Sequence, residues 1–292
     1  GMPEDILLPI AKLNKELIRA MQALPGNGTR YDETQGNMRL RKSIARFTYS
    51  WKGNLTEDDI VTTAGVTNEV ALALSVITKV GDTIAVESPV YFGMLQLANS
   101  MGLRILELPT NPVTGIDPDA LKKVLPQIKA CLLISNFNNP LGSCMPDEHK
   151  RVVVDMLAGY DIPLIEDDLY GDLFFGNSRP KPCKAFDKKG LVLWCGAVSK
   201  TLAPGYRVGW IAPGKFKHAI IRQKNIHLIS RLRLIKKRLP ISWRMTDTKT
   251  IYVNCDKNYT QTVFILPIPS WITSPRIQKL LLHKEDLCFG WN

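Results

Sequence analysis

Several polar residues of this sequence come directly after short apolar runs that have the composition of buried strands. Lys200 follows one such run, Asp167 and Tyr170 follow another, and Asn139 follows a third. Lysine becomes a nucleophile and a base when burial lowers its pKa, a carboxylate pairs with a cation, and tyrosine and asparagine form hydrogen bonds. Taken singly, each residue has an ordinary explanation: a lone lysine is usually exposed, Asn139-Pro140 is typical of a turn, and Asp167 could cap a helix.

The elements that must position these residues alternate along the chain up to about residue 229. Apolar, β-rich runs predict strands at Asp59–Thr63, Thr83–Glu87, Arg104–Leu108, Ala130–Ser135, Pro163–Glu166, Val192–Gly196 and Arg207–Ala212. Helical spacing predicts helices over Leu7–Leu24, Met38–Trp51, Thr67–Thr78, Tyr91–Met101, Pro118–Leu125 and Pro146–Ala158. This alternation predicts an α/β fold with a seven-stranded, mostly parallel sheet sandwiched by helices.

Two more residues, Gly65 and Tyr91, also follow predicted strands, so that candidate site residues stand at the ends of five strands in all. Gly65 follows the first strand, where it could be only a tight turn, and Tyr91 follows the second, where it could be only a core tyrosine. Ligands of an open parallel sheet bind at the carboxyl ends of its strands. We therefore expect one site at this rim, arranged around a single planar ligand.

Composition excludes several other classes of protein. No run of about 18 apolar residues is present, so no membrane span is predicted. The six cysteines form no C-x-x-C pair, which argues against a metal site and for reduced thiols in a cytoplasmic protein. The net charge of +11 comes almost entirely from residues 214–250, which hold eleven lysines and arginines against one aspartate. The rest is nearly neutral, so nucleic-acid binding by this chain alone is not expected.

Five motifs, read in order, carry a resemblance to a known family. The most specific is SKTLAPGYRVGW at 199–210, and the others are YDETQG at 31–36, ESPVYFG at 87–93, NFNNPLG at 136–142 and EDDLYG at 166–171. Over residues 8–230 the chain resembles the class I/II aminotransferases, fold-type I enzymes that depend on pyridoxal 5′-phosphate. Within that family it looks most similar to the aminotransferase-like domain of GntR/MocR-type regulators and to the lysine/aromatic aminotransferases.

The resemblance implies a role for the lysine and for one aspartate. Lys200 would hold the cofactor as a Schiff base and then shuttle a proton, which requires a lowered pKa. Asp167 would pair with the pyridine nitrogen. Asp168 is the competing candidate, but the family's tyrosine follows its aspartate by three residues, which fits Asp167 and Tyr170.

The remaining cofactor contacts are implied in the same way. Asn139 and Tyr170 would bind the 3′-oxygen of the ring, and Tyr91 would stack on its face. The phosphate would lie at a helix start, bound by Gly65, Val66, Thr67, Ser199 and Arg207. Tyr31 would reach the phosphate of a neighbouring subunit, which implies a homodimer with shared active sites.

The chain departs from the family at three places, the first of which is Val66-Thr67-Asn68, where the family more commonly has a polar run after the glycine. Ala197 stands where a hydroxyl residue usually binds the phosphate, and such a hydrogen bond is worth about 1.5–3 kcal/mol. After Lys215–Ile229, which resembles the start of a linking helix, the similarity stops. We predict an N-terminal segment at 1–50, the large pyridoxal-phosphate-binding domain at 51–230, and an unassigned basic tail at 231–292. This tail would be frameshifted or degenerate, leaving the small C-terminal domain incomplete.

Three functions remain open at this point. The first is amino-group transfer from an amino acid to a 2-oxo acid through Lys200. The second is a non-enzymatic pyridoxal-phosphate-binding effector domain of a GntR-type transcription regulator. The third is a truncated, inactive homologue.

Overall fold

The computed structural model describes residues 8–22, 33–174, 177–227, 248–250 and 267–269. Its helices are α1 (Ile10–Gln22), α2 (Met38–Phe47), α3 (Val66–Ile77), α4 (Phe92–Ser100), α5 (Pro118–Val124), α6 (Asp147–Gly159) and α7 (Lys217–His227). The strands are β1 (Val61–Thr63), β2 (Thr83–Ser88), β3 (Arg104–Asn111), β4 (Gly115–Ile116), β5 (Ala130–Leu133), β6 (Leu164–Asp167), β7 (Val192–Ala197), β8 (Gly209–Ala212), β9 (Thr248–Thr250) and β10 (Pro267–Pro269).

Strands β1 to β8 form one sheet in the order β1-β8-β7-β6-β5-β2-β3-β4. The pairs from β7 through β6, β5 and β2 to β3 are all parallel. Strand β8 is antiparallel to both β7 and β1, so β1 runs in the same direction as β7. The short β4 is antiparallel to β3. Most strands therefore end at the same edge of the sheet.

The sheet is covered on both faces because its central strands are apolar throughout. Every residue of β5 and of β7 is buried. One face packs against α3 and α7 through Val70, Leu74 and Ile220, and the other packs against α5 and α6 through side chains such as Leu121 and Leu157. Continuous apolar strands of this kind are typical of a parallel sheet between two helical layers.

The predicted fold class is confirmed, with two local differences. All seven predicted strands are present, and β4 was missed because a two-residue strand leaves no periodic pattern. The helix predicted over Met38–Trp51 is instead α2 followed by a 3-10 turn at Thr48–Trp51. The Thr48 hydroxyl donates to Ala45 O at 2.6 Å, and Lys52 ends the turn in the left-handed region with φ 63°.

Several sequence-based expectations fall beyond the described part of the chain. Tyr31 lies outside it, as does most of the tail at 231–292, including the expected degenerate end and incomplete small domain. In that tail, β9 and β10 pair as antiparallel strands. Among the described helices, none combines the length and the hydropathy needed to cross a membrane.

Candidate functional site

The predicted site residues that the structure describes lie at one edge of the sheet. Gly65 follows β1, Asn139 follows β5, Asp167 ends β6, and Lys200 follows β7. Arg207 precedes β8, and because β8 is antiparallel to β7 its beginning lies where β7 ends. The other predicted residues lie in the loops or helix starts at this edge: Val66, Thr67, Tyr91, Tyr170 and Ser199. Most of them form two groups, which we call the glycine end and the lysine end.

The glycine end consists of Gly65, the start of α3 and Arg207. Gly65 has φ 102°, and no side chain caps the helix that follows it. The first backbone N–H groups of a helix, here those of Val66 and Thr67, have no carbonyl partner within the helix. A Cβ on Gly65 would lie 2.8 Å from Nη2 of Arg207, so the guanidinium lies directly against this helix start. Backbone N–H groups, the helix dipole and a guanidinium together favour an anion.

A close backbone contact between Gly209 and Gly65 fixes the position of the glycine end. Gly209, the first residue of β8, is so close to Gly65 that a Cβ on it would lie 2.7 Å from the Gly65 Cα. The same Cβ would meet Oε1 of Glu69, which accepts a hydrogen bond from the Thr63 hydroxyl. Glu69 is fully buried on α3, and burial raises its pKa well above the usual range. The position of Gly65 therefore depends on a glycine at 209.

The lysine end consists of Asn139, Asp167, Tyr170 and Lys200. Asp167 is buried, and its Oδ1 accepts a hydrogen bond from the Leu169 N–H at 3.0 Å. Burial raises the pKa of Asp167 to about 7, with the neighbouring carboxylates adding to the shift and Lys200 opposing it. The amine of Lys200 is half-buried, and burial lowers its pKa while the charge of Asp167 acts in the opposite direction. Each group is thus shifted toward its neutral form and stabilised as an ion by the other.

Tyr170 lies between Lys200 and Asn139. The Lys200 Nζ is 5.8 Å from the centroid of the Tyr170 ring, and the Asn139 Nδ2 donates to the Tyr170 hydroxyl at 3.4 Å. Burial raises the pKa of Tyr170 to about 12, so its hydroxyl keeps its proton near neutral pH. Tyr91 is at the outer rim, where its ring lies over the Gly93 backbone and is 36% exposed. Tyr91 is therefore partly accessible at this rim, with its ring centroid 4.9 Å from that of Phe92.

Asp167 and Asp168, the two sequence candidates for pairing with the pyridine nitrogen, have different surroundings. Asp168 accepts hydrogen bonds from Arg179 at 2.6 Å, from the Trp194 indole at 2.7 Å and from the Asn136 amide at 2.8 Å. Its side chain is completely buried among these donors. Asp167 instead interacts electrostatically with Lys200 and with Glu69 of α3. The geometry thus favours Asp167 over Asp168 as the residue that meets a ligand.

Two buried groups near the lysine end were missed by sequence reasoning. Glu87, at the end of β2, accepts a hydrogen bond from the Ile134 N–H at 2.5 Å, and burial raises its pKa to about 8. Arg179 lies buried beside Asp168. A signal for Glu87 was available, since an acid that directly follows the apolar run Ile84–Val86 within a predicted strand suggests a buried carboxyl. No comparable signal existed for Arg179, because its partners come together only through the fold of the loop.

The chain is similar in sequence to known aminotransferases and to transcriptional regulators. Residues 5–245 match the family model for aminotransferase class I and II. An uncharacterized HTH-type transcriptional regulator of Escherichia coli, YjiR, is 42% identical over 223 residues, which make up 75% of this chain and 47% of that protein. Aromatic-amino-acid aminotransferase 1 of Thermococcus litoralis is 31% identical over 225 residues, covering 73% of this chain and 52% of that enzyme.

A solved structure extends the comparison to the fold. The crystal structure of an archaeal alanine:glyoxylate aminotransferase superposes with a TM-score of 0.77 and 26% identity, covering 83% of this chain and 62% of that one. This chain spans about half the length of the curated relatives it matches.

Proposed function

Since this chain belongs to the class I and II aminotransferase family, we propose that it binds pyridoxal phosphate through Lys200 and transfers an amino group from an amino acid to a 2-oxo acid. The first substrate would leave as its own 2-oxo acid, and the second would leave as an amino acid. The observation that carries this proposal is the placement of Lys200 opposite the buried Asp167 at the carboxyl edge of the sheet. A lysine whose pKa is lowered by burial can act at neutral pH as a nucleophile and as a base.

The residues present fit this cofactor at its phosphate. The glycine end offers free backbone N–H groups at the start of α3 and the Arg207 guanidinium beside Gly65. Ser199 begins the loop that ends at Arg207, and the loop is closed by a hydrogen bond from Val198 N to Val208 O at 3.1 Å. These donors match a phosphate, which accepts several hydrogen bonds and carries negative charge.

The residues present also fit the ring of the cofactor. When bound, pyridoxal phosphate supplies a ring that takes up the electrons left when a proton leaves the amino acid Cα. Asp167 would hold its negative charge against the ring nitrogen, and a cation there would return the raised pKa of Asp167 toward its usual value. The Tyr170 hydroxyl and the Asn139 amide would hold the 3′-oxygen, and Tyr91 would cover the ring. Lys200 Nζ would then be the atom that takes the Cα proton and returns it.

A second function is favoured by a specific observation. YjiR, at 42% identity, is named as a transcriptional regulator and not as an aminotransferase. On this alternative, the same residues would bind pyridoxal phosphate and an amino acid as an effector signal, without repeated turnover. An inactive homologue is the third possibility. For both functions that bind pyridoxal phosphate, we propose a homodimer in which Tyr31 reaches the phosphate of the neighbouring subunit.

The test is a titration of the purified chain with pyridoxal phosphate, followed by visible absorbance. Borohydride reduction and peptide mass spectrometry would then locate the attachment. We expect one cofactor per chain attached at Lys200 and loss of the attachment in Lys200→Ala. The matched control is Lys123→Ala, which removes an exposed lysine of α5.

The outcomes separate the three functions. Cofactor attachment with repeated amino transfer from some amino acid to a 2-oxo acid would support the enzyme. Attachment with a spectral response to amino acids but no repeated transfer would support the regulator domain. Folded protein with no attachment would support an inactive homologue, and that result, or attachment unaffected by Lys200→Ala, would overturn the proposal.

A further inference from the structure

The loop that carries Asp167 and Tyr170 is held by a single buried arginine. Asp168 and Asp172 stand on either side of Tyr170, and Arg179 pairs with both of them. Its Nη2 lies 2.6 Å from Asp168 Oδ2, and its Nε lies 2.6 Å from Asp172 Oδ1. Its Nη1 donates to Pro180 O at 3.0 Å. One guanidinium therefore joins both ends of the turn that presents Tyr170.

The backbone of the loop is packed directly on this ion pair. A Cβ on Gly171 would lie 2.6 Å from Arg179 Nη2 and would also meet Asp168 Oδ1. The Arg179 side chain is 2% exposed, and its guanidinium is 5.8 Å from the centroid of the Phe47 ring of α2. The planar guanidinium donates from three nitrogens at this position. A lysine has a single ammonium and cannot reproduce that geometry.

The same network reaches the loop that carries Asn139. Asp168 Oδ1 accepts from the Asn136 amide at 2.8 Å, and Asn136 Oδ1 accepts from Lys150 Nζ at 2.6 Å. Lys150, fully buried on α6, also donates to Lys181 O at 2.7 Å. The loop after β5 and the loop after β6 are thus tied together behind the site, while Asn139 and Tyr170 meet at its front.

We propose that Arg179 is the positioning residue of the lysine end, acting through Asp168 and Asp172 to fix Asp167 and Tyr170. The inference rests on the proposed function only for the identity of the ligand. Loss of the guanidinium would leave the fully buried Asp168 and the largely buried Asp172, on either side of Tyr170, without this counterion. Breaking a buried pair on one side is strongly unfavourable because the remaining charge must be solvated. The loop would open to water, and Asp167 and Tyr170 would lose their fixed positions.

The test compares Arg179→Met and Arg179→Lys with Arg151→Met, which removes an arginine that packs over Phe186 at the surface of α6. The first readout is amide hydrogen exchange of residues 167–172 in the protein without cofactor. The second is the pH midpoint of the visible absorbance of bound pyridoxal phosphate, and the third is its dissociation constant. Thermal unfolding is measured for every variant.

We expect faster exchange at 167–172 in both Arg179 variants. We also expect a pH midpoint shifted by about half a unit or more and affinity weakened about tenfold. Arg179→Lys should be the milder variant because it keeps the charge, and Arg151→Met should match the wild type. A purely structural role would lower the melting temperature but leave the pH midpoint and the exchange of this loop unchanged, and that result would overturn the proposal.

Failure of the proposed function would look different. If the wild-type chain bound no pyridoxal phosphate, the hydrogen-exchange comparison would still decide the role of Arg179 in the loop. If neither Arg179 variant folded, Asp172→Asn would replace them, since Asp172 is 18% exposed and its loss removes only one of the two ion pairs. Unchanged exchange in that variant would count against the proposal.

Discussion

The glycine end and the lysine end of the site are built from different materials. The glycine end is mostly backbone: a helix start after Gly65, pressed against Gly209, with one arginine added. The lysine end consists mostly of buried or half-buried polar and ionisable side chains, and the adjacent Asp168 carboxylate is held by donors from several elements. Substitutions at the glycine end are restricted by steric contact. Substitutions at the lysine end are restricted by the free-energy cost of keeping charges away from water.

This difference separates the ways in which each end can fail. A backbone-built anion site tolerates changes of side chain but not an added atom at a close approach. A site built from buried carboxyls tolerates isosteric changes but responds to pH, because its protonation differs between the folded and unfolded chain. Each of the predictions below tests one side of that contrast.

The largest effect is expected from Gly209→Ala at the glycine end. The added Cβ would lie 2.7 Å from the Gly65 Cα and 2.8 Å from its N, and neither backbone atom can move aside cheaply. We expect unfolding free energy to fall by about 3 kcal/mol, as for severe overpacking of a core. Pyridoxal phosphate affinity should fall as well, because Gly65 and the start of α3 are displaced. Denaturant unfolding and cofactor titration measure the two effects.

Gly205→Ala is the matched control for that change. It lies four residues away, and a Cβ there meets no atom within 4 Å. We expect it to unfold at nearly the wild-type denaturant concentration. If the two alanines were equally harmless, the contact between Gly209 and Gly65 would not control the glycine end.

The glycine end was also the more predictable of the two from sequence. A glycine between an apolar strand and a helical segment already indicates a helix start, and the structure places Gly65 there with φ 102°. The strands themselves were predictable because their apolar runs are nearly continuous. The contact that fixes Gly65, however, comes from Gly209, which is far away in sequence and adjacent only through the pairing of β1 with β8.

The lysine end was predictable in composition but not in arrangement. The sequence offered Asp167 and Asp168 side by side, and alternation along β6 decides which of them faces Lys200. Arg179 looked like an ordinary charged loop residue, because burial and two carboxylate partners depend on the path of the chain between Asp168 and Asp172. Long-range packing, not local propensity, assigns these roles.

The next effect, expected beside the lysine end, is a pH dependence of stability. Burial raises the pKa of Glu87 to about 8, so the folded chain holds a proton that the unfolded chain releases above its ordinary carboxyl pKa. Stability should therefore fall as pH rises from about 4 to about 8 and then level off. Glu87→Gln keeps the acceptor for the Ile134 N–H without an ionisable proton. We expect the stability of the variant relative to wild type to rise by about 2 kcal/mol between pH near 6 and pH near 8.

Denaturant unfolding at the two pH values measures this difference. The control is Glu107→Gln, an exposed glutamate on the neighbouring β3. Its stability relative to wild type should change little with pH. A Glu87→Gln variant with the same pH dependence as wild type would show that burial does not raise the pKa of this carboxyl. The electrostatic part of the contrast between the two ends would then be wrong.

The smallest effect is a gain, expected from Ala197→Ser. Ala197 ends β7 opposite Gly209, buried at the edge where the glycine end meets the strand that leads to Lys200. A hydroxyl there would add a side-chain donor to the proposed phosphate site, which otherwise consists of backbone N–H groups, Ser199 and Arg207. One hydrogen bond to a charged group is worth about 1.5 kcal/mol at the lower end, which is about tenfold in affinity. Titration with pyridoxal phosphate should show this gain, with little change in the melting temperature without cofactor. Unchanged affinity for pyridoxal phosphate would indicate that the phosphate lies away from β7 and is bound by the start of α3, Ser199 and Arg207.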